Sequence, residues 1–331
     1  MKALEFSKNK YLARMMKLAV IATLTLFVFA GCEKDNPIEA LDRVATVSSL
    51  DDVANLPNAG RVATLIITGT HPDLTNLKDV AEYLPNIAHI VLPDFNRPIP
   101  DSLFFISGSD ENDWLESFSA PKATGIGIRS FFNCVELAKI DVPNATFIGI
   151  LAFHDCGALE HVSFPIVERL EGQTFEGCVG LISADLPTAT FIGNRAFDEC
   201  ESLVLVNLPR AIVLGDRVFA RCASLTSISL PRVTTIGSRV FENSISLEIV
   251  HLPSLVVLGD RVFVSCESLQ SIYLCVNAPL TYGTELFEYG IFDGIERVVD
   301  ASNISLHFSS TNLPTGNHWA GYTFGEIFTC P

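Results

Sequence analysis

Apolar and polar positions in the middle of this chain repeat every 22 residues without a gap. Eight segments share the pattern Leu-x-x-apolar-x-apolar, and they begin at Leu115, Leu137, Leu159, Leu181, Leu203, Leu225, Leu247 and Leu269. The end of each segment alternates apolar and polar residues, which is the period of a β-strand with one buried face. A constant period of this length predicts stacked coils, because one short unit cannot bury its own apolar face.

Further columns recur between these strands. One contains Ile or Leu, the next contains mostly Gly, and the third contains Phe131, Phe153, Phe175, Phe197, Phe219, Phe241 and Phe263. The glycine column indicates either a backbone with positive φ or a contact too close for a side chain. The phenylalanine column indicates a continuous stacked core. The sequence therefore predicts a solenoid of parallel strands.

Irregular segments flank the repeat. Residues 62–68 are predicted to form a strand, residues 74–84 a short helix, and residues 87–93 repeat the strand pattern once. Residues 99–114 are interpreted as an inserted loop. Caps are expected at both ends, because a solenoid core left open would face water. We divide this part of the chain into an N-terminal cap with the first strand unit (59–114), eight repeat strands (115–275) and a C-terminal cap (276–331).

The start of the chain, at positions 1–31, is typical of a secretory signal peptide. A basic start precedes an apolar run at 18–30, which is shorter than the about 20 residues of a membrane-spanning helix. Phe-Ala-Gly-Cys at 29–32 resembles the lipobox of bacterial lipoproteins, which implies cleavage before Cys32 and lipid on that residue. An ordinary secretory signal is the alternative.

The residues after Cys32 are charged and polar. Residues 33–37 resemble the acidic tags that direct lipoproteins of Bacteroides-type bacteria to the outer face of the outer membrane. Residues 32–58 have few aromatic side chains and no clear period, so they are predicted to be a tether. A lipid-anchored protein facing the cell exterior is the expectation from this resemblance.

The full repeat unit reads Leu-x-x-Ile-x-Leu-Pro-x-x-Thr-x-Ile-Gly-x-x-x-Phe-x-x-Cys-x-x-Leu and resembles the BspA-like class of leucine-rich repeats. The segment 316–327 resembles the C-terminal part of Bacteroides surface proteins of that class. The resemblance covers residues 60–331. It implies a leucine-rich-repeat solenoid with a parallel sheet on one face and short turns or helical pieces on the other. It also implies a role in adhesion or recognition, without naming a ligand.

Charge and motif content restrict the function classes. The formal net charge is −16, and loss of residues 1–31, which carry five basic residues and one acidic residue, would lower it to −20. Such charge argues against nucleic acid as a partner and limits membrane contact to the lipid anchor. Asp141 and Asp185 share an outward column, but they lie two coils apart with no cleft implied between them. With no catalytic motif in the sequence, we expect no enzyme, no metal site and no cofactor.

The nine cysteines fall into three groups. Cys32 is the lipidation candidate. Six share one column, in which Ser244 replaces a member, and are interpreted as buried thiols because parallel Cβ vectors disfavour disulfides: Cys134, Cys156, Cys178, Cys200, Cys222 and Cys266. Cys275 and Cys330 lie outside the column. They are either bridged, tying the tail to the last coil, or unbridged, with Cys275 filling a strand end.

The outward strand positions form the first candidate binding surface. Leu205 and Ile249 are apolar where solvent is expected, and Asn207, His251 and Tyr273 lie beside them. Aliphatic and aromatic anchors within a polar surround are typical of protein interfaces, so this face predicts adhesion to a host or bacterial surface protein. The alternative is an inert face with tolerated apolar residues.

A column of arginines forms the second candidate surface and comprises Arg195, Arg217, Arg239 and Arg261. A basic stripe on an acidic protein could bind an acidic glycan through bidentate contacts. The alternative is pairing within the chain, because carboxylates adjoin these arginines at Asp216 and Asp260 and recur three positions on, at Glu176, Asp198 and Glu242.

Overall fold

The computed structural model describes residues 43–70, 72–105 and 112–274, with shorter stretches at 281–282, 286, 290–292, 295–297, 305–308, 318–319, 322–323 and 326–329. The predicted signal peptide, residues 1–31, and the cysteines Cys32, Cys275 and Cys330 lie outside the described residues. Through the described part the chain winds into successive coils. The predicted solenoid of parallel strands with 22-residue coils is confirmed.

The first face of the solenoid is a ladder of short parallel strands, one from each coil. Its strands are Val44–Val47, Thr64–Ile67, His89–Val91, Ser117–Ser119, Lys139–Asp141, His161–Ser163, Ser183–Asp185, Leu205–Asn207, Ser227–Ser229, Ile249–His251, Ser271–Tyr273, Ser305–Phe308 and Glu326–Thr329. Central residues such as Phe118, Val250 and Ile272 are buried, while their neighbours on each strand face outward. This alternation follows from the two-residue period of a strand.

A second parallel ladder runs along another face, where the sequence predicted turns or helical pieces. It is built from two-residue strands: Phe147–Ile148, Arg169–Leu170, Phe191–Ile192, Val213–Leu214, Thr235–Ile236, Val257–Leu258 and Thr281–Tyr282. Helical structure in the described residues consists of 3₁₀ segments near the start, at Leu50–Asn55, Ala59–Arg61 and Leu77–Glu82. The strands from Phe147–Ile148 to Val257–Leu258 each carry one buried Ile or Leu, which explains the Ile/Leu column.

A third set of backbone hydrogen bonds joins the coils at a corner with left-handed residues. Arg195 and Glu199 have φ of 56° and 63°, and the same two positions are left-handed in the neighbouring coils. The N–H groups of Arg195, Phe197 and Glu199 donate to carbonyls of the next coil, at N···O distances of 2.8, 3.0 and 3.0 Å. Because of the left-handed residues, successive N–H groups point in alternating directions, and every second N–H group points to the next coil.

The core between these faces is a stack of phenylalanine rings. From Phe131 to Phe263 the neighbouring rings lie 5.2–5.9 Å apart between centroids, with interplanar angles of 1–14°. All seven rings are buried. Offset stacking of this kind is a favourable arrangement for aromatic pairs.

The cysteine column lies beside the rings as free, buried thiols. Five of the sulfur atoms, from Cys156 to Cys266, donate to the carbonyl of the phenylalanine 25 residues earlier, with S···O distances of 3.0–3.2 Å. The Ser244 hydroxyl makes the same bond to Phe219 at 2.8 Å, which explains why serine can replace cysteine. Burial raises the pKa of these thiols and keeps them protonated as donors.

The glycine column marks the closest approach between coils. A Cβ atom on Gly149 would lie 2.7 Å from the carbonyl carbon of Gly127 in the preceding coil. Among the described residues, the glycines with positive φ are Gly69 and Gly177, which lie outside this column. Of the two explanations for the column, close contact is therefore the one that the structure shows.

The solenoid begins earlier than the sequence predicted. Val44–Val47 lies inside the segment 32–58 interpreted as a tether, yet it pairs in parallel with Thr64–Ile67. Val44 pairs with Thr64, Thr64 with His89 and His89 with Ser117, so the spacing between paired positions changes from coil to coil. Because of this uneven spacing, the first coils do not follow the constant 22-residue period and cannot be recognised from it. The tether interpretation is wrong for residues 43–58.

The predicted inserted loop at 99–114 is also wrong in its extent. Ile99 bridges to Ile126, Phe104 stacks on Phe131 at 5.4 Å, and Asn112 occupies the cysteine column opposite Cys134. The columns of the repeat therefore continue through this segment. Phe104 and Asn112 are farther apart in sequence than Phe131 and Cys134 in the next coil, so the extra residues lie between them.

The region after residue 275 extends the first ladder. Ser305–Phe308 pairs with Ser271–Tyr273, and Glu326–Thr329 pairs with Ser305–Phe308, both in parallel. Two short antiparallel pairs accompany them, Gly290–Phe292 with Ile295–Arg297 and His318–Trp319 with Tyr322–Thr323.

We expect Gly149→Ala to lower the free energy of unfolding by about 1–3 kcal/mol, because its methyl group would force adjacent coils apart. Gly60→Ala is the matched control, since a Cβ there meets nothing within 4 Å. Urea denaturation of both variants measures the difference. Equal midpoints for the two variants would contradict the close-contact explanation.

Candidate recognition surface

The outward face of the first ladder holds the predicted residues on three strands. Leu205 and Asn207 lie on strand Leu205–Asn207, Ile249 and His251 on strand Ile249–His251, and Tyr273 on the strand after it. Ile249 aligns with Ser271 and His251 with Tyr273. The structure therefore brings Ile249, His251 and Tyr273 together. Leu205 is separated from them by strand Ser227–Ser229.

Leu205 has the largest exposed fraction of the exposed large apolar residues in the described part of the chain, 64%. Its neighbours Val204 and Ile182 are exposed by 50% and 39%, and the Leu205 N–H donates to the Ile182 carbonyl at 3.2 Å. These three exposed residues lie close together along the backbone of two neighbouring coils, and we call them the Leu205 patch. The alternation of the strand pattern predicts Leu205, but Val204 and Ile182 precede the strands and were missed.

The first ladder is interrupted beside this patch. Leu205–Asn207 pairs with Ser183–Asp185 on one side but not with Ser227–Ser229 on the other, although the structure describes both strands. Pairing also stops between Lys139–Asp141 and His161–Ser163, while the second ladder continues past both places. Val206 and Ile140, the central residues before the two interruptions, are half-buried instead of buried. At Leu205–Asn207 the interruption therefore leaves one edge of the strand unpaired and the central residue Val206 more exposed than the central residues of the neighbouring strands.

A row of rings continues from His251 toward the C-terminus. The Tyr273 ring lies edge-on to His251 at 5.6 Å and stacks on His307 at 3.9 Å, and His307 stacks on Phe328 at 5.1 Å. Burial lowers the pKa of His307. His307 and Phe328 were missed because their strands lie outside the 22-residue period, although the alternating segment Ser305–Phe308 was a usable signal.

Polar side chains on the same face bond to one another across the strands. Asn207 Nδ2 donates to Asp185 Oδ1 at 2.7 Å, and Ser119 Oγ donates to Asp141 Oδ2 at 2.8 Å. Within the described ranges, no three His, Cys, Asp or Glu side chains converge as metal ligands would. The face offers hydrogen-bonding groups and apolar anchors, which suits non-covalent recognition.

The arginine column occupies the first left-handed position of each corner. Arg195, Arg217, Arg239 and Arg261 have φ of 55–59° and half-buried side chains. Arg195 Nη1 lies 3.3 Å from Glu176 Oε1, and Arg217 Nη2 lies 3.3 Å from Glu242 Oε2. Arg261 also has an interaction within the protein. The column is therefore partly neutralised by carboxylates of the chain itself.

A buried charge cluster lies next to Arg195. The side chain of Asp198 is fully buried, and its Oδ2 accepts a hydrogen bond from Arg221 Nη2 at 2.8 Å. Arg221 Nη2 also lies 2.8 Å from Glu199 Oε1. Burial raises the pKa of Asp198 to about 6, although the positive charge of Arg221 acts against it. The Oδ1 atom of Asp198 has no hydrogen-bond partner in the described structure.

His154 lies two coils before Asp198 in the same column and is linked to this cluster through Glu176, which also pairs with Arg195. Its ring stacks on Phe132 at 4.9 Å, with Nδ1 3.0 Å from Asp155 Oδ2 and Nε2 3.9 Å from Glu176 Oε2. Burial alone would lower the pKa of His154, but the nearby carboxylates of Asp155 and Glu176 raise it overall. The cluster thus favours protons on both His154 and Asp198.

The model of the BspA type leucine rich repeat region matches residues 111–213 and 190–304, more than half of the chain. The protein belongs to the BspA-type leucine-rich-repeat family. Solenoids of this fold are typically binding scaffolds without catalytic activity, and the family is often found in surface proteins. Among curated proteins, none matches the sequence.

Solved structures of bacterial leucine-rich-repeat proteins are similar to this BspA-type chain. A leucine-rich repeat protein from Bacteroides ovatus shares 25% identity over 63% of this chain and 64% of its own, with a TM-score of 0.38. A leucine-rich cell surface protein from Faecalibacterium prausnitzii shares 18% identity over 82% and 84%, with a TM-score of 0.36. A leucine-rich repeat protein from T. pallidum shares 24% over 68% and 81%, with a TM-score of 0.39. This chain thus spans less than two thirds of the B. ovatus protein.

No helix among the described residues has the length and hydropathy of a membrane span. The lipidation candidate Cys32 and the Cys275–Cys330 pair lie outside the described residues, so they stay predictions from the sequence.

We expect the charge cluster to stabilise this BspA-type protein less as the pH rises. The folded pKa of Asp198, about 6, exceeds the unfolded value of 3.8, so the penalty of burying its charge develops as pH rises through 6. The raised pKa of His154 acts in the same direction, because its protonated form stabilises the fold and is lost at higher pH. From pH 5.5 to 7.5 we expect wild type to lose about 1 kcal/mol relative to Asp198→Asn.

Urea denaturation at several pH values measures this difference. Glu201→Gln, which removes an exposed carboxylate from the same coil, is the control and should follow wild type at every pH. Parallel stability curves for wild type and Asp198→Asn would show that Asp198 does not titrate in this range.

Proposed function

We propose that this BspA-type protein is a cell-surface recognition protein that binds a protein ligand through the outward face of the first ladder. The Leu205 patch is the main anchor, and Ile249, His251 and Tyr273 form a second contact region on the same face. The single observation that carries the proposal is the 64% exposure of Leu205, with Val204 and Ile182 exposed beside it.

The energetics of the patch support binding. Burial of a fully exposed Leu side chain contributes about 1.5–3 kcal/mol, so the Leu205 patch could supply a substantial share of the free energy of association. Polar groups such as the Asn207–Asp185 pair surround it and are already hydrogen-bonded to each other. An apolar centre within a satisfied polar surround is the arrangement of interface hot spots.

The ring geometry favours a protein over a polysaccharide. Sugars stack on the faces of aromatic rings, whereas Tyr273 and His307 turn their faces toward each other at 3.9 Å. The arginine column gives little support to an acidic glycan, because Arg195 and Arg217 are engaged with Glu176 and Glu242. Surface arginines paired in this way have less charge to offer a ligand.

A binding screen with the soluble chain from Glu33 onward tests the proposal. Fibronectin, laminin and type I collagen are compared with hyaluronan and dextran at low and high salt. We expect a protein hit that tolerates salt, since apolar contacts are not screened, and at least about tenfold weaker binding for Leu205→Asp.

The matched control is Ile150→Asp, which places the same charge at an exposed apolar position just after the second-ladder strand Phe147–Ile148, away from the proposed binding face. Equal loss in both variants would assign the effect to added negative charge and not to the Leu205 patch. A salt-sensitive hyaluronan hit that survives Leu205→Asp would move the binding site away from this face.

We also propose that Cys32 carries the lipid anchor and that the protein faces the cell exterior at the outer membrane. Support comes from the resemblance of residues 29–32 to a lipobox and of residues 33–37 to a surface-export tag.

Expression of the full chain in a lipoprotein-producing bacterium, with labelled palmitate, tests the anchor. Wild type and the control Cys330→Ser are expected to take up label and to partition into detergent, while Cys32→Ser does neither. An unlabelled wild-type chain would show that the segment is an ordinary secretory signal.

A further inference from the structure

A cleft of about 750 Å³ lies near the N-terminal end of the solenoid, away from the residues of the first ladder discussed above. One wall comes from residues 72–78 and the other from residues 95–105. Clefts of roughly 300–1,000 Å³ are the usual size for small-molecule sites. The cleft is therefore large enough to hold a small organic molecule.

The cleft exists because the second ladder stops there. Ile99 continues that ladder by bridging to Ile126, but the preceding coil has the 3₁₀ segment Leu77–Glu82 in place of a ladder strand. Pro98 and Pro100 flank Ile99 and have no N–H group to offer a further strand. Because no ladder strand packs against Ile99 on this side, a space remains between the two coils, and this space is the cleft.

The floor of the cleft is apolar and its entrance carries two cations. The buried side chains of Leu74 and Leu103 line the floor, and the buried ring of Phe95 lies beneath Arg97. Lys78 and Arg97 line the entrance, and neither forms an ion pair with the residues that the structure describes. The Arg97 guanidinium lies over the Phe95 ring, 5.8 Å from its centroid, which positions the charge without neutralising it.

Two carboxylates balance these cations. Asp101 Oδ1 accepts the Ile128 N–H at 2.7 Å, and Asp73 Oδ1 accepts the Thr75 N–H at 3.0 Å. Each carboxylate is held by the backbone through one oxygen. Hydrogen bonds from Thr75 lower the pKa of Asp73, so it is ionised at neutral pH. The lining therefore presents two positive and two negative groups around an apolar floor.

We propose that this cleft binds a small zwitterionic ligand, the class of free amino acids and short peptides with free termini. Lys78 and Arg97 receive the carboxylate, Asp73 and Asp101 receive the ammonium group, and the side chain rests on the apolar floor. A simple anion would meet two carboxylates, and a neutral sugar would find the Phe95 face covered by Arg97. The site is independent of the Leu205 patch.

Titration calorimetry with the chain from Glu33 onward tests this proposal, with the tripeptide Ala-Leu-Ala as the probe. We expect binding of the free tripeptide and at least about tenfold weaker binding when either its N-terminus is acetylated or its C-terminus is amidated. Arg97→Gln and Asp73→Asn should each weaken binding by a similar factor. Asp73→Asn keeps an oxygen that can accept the Thr75 bond, so the local turn is retained.

Lys139→Gln, at an exposed position on the first ladder, is the charge-matched control and should bind like wild type. Thermal melting checks that each variant is folded, and Lys78→Gln replaces Arg97→Gln if the latter does not fold. The proposal is overturned if the free tripeptide does not bind, if blocked and free tripeptides bind equally, or if both cation variants bind like wild type. Binding of glucuronate in preference to the tripeptide would instead assign the cleft to acidic saccharides.

Discussion

The close approach of neighbouring coils is the constraint on which the rest of this structure depends. A Cβ on Gly149 would lie 2.7 Å from the Gly127 carbonyl carbon, so the coils touch through bare backbone. At this spacing three hydrogen-bonded faces, a stack of phenylalanine rings and a column of thiol donors all align between coils. Each residue contacts the residue at the equivalent position in the next coil. An interaction that is favourable between two coils is therefore repeated along the whole column.

That repetition explains how much of the fold is readable from the sequence. The strand, phenylalanine and cysteine columns are predictable because a constant offset brings like residues together. The second ladder is not, because a two-residue strand is too short to show the alternation of apolar and polar residues that identifies a strand, although its Ile/Leu column is visible. The first strand, Val44–Val47, escapes for another reason, since it lies closer in sequence to its partner strand than the constant period would place it.

The candidate sites divide in the same way. Strand alternation is sufficient to predict that Leu205 and Ile249 face outward. It cannot show that the ladder stops beside Leu205, because that depends on how neighbouring coils pack. The cleft near Arg97 was also not predictable, since it arises where one coil replaces a ladder strand with a 3₁₀ segment. The features that distinguish this protein from a uniform solenoid therefore occur where the structure departs from the repeat.

The two interruptions in the first ladder also have a mechanical consequence. Between strands His89–Val91 and Ser271–Tyr273, most neighbouring coils are joined by three hydrogen-bonded faces, whereas at the interruptions only the second ladder and the left-handed corner remain. A pulling force along the axis would therefore open this part of the solenoid first after strands Lys139–Asp141 and Leu205–Asn207. Blocks of intact coils would separate at these places, so the molecule would extend in steps and absorb work before any single block unravels.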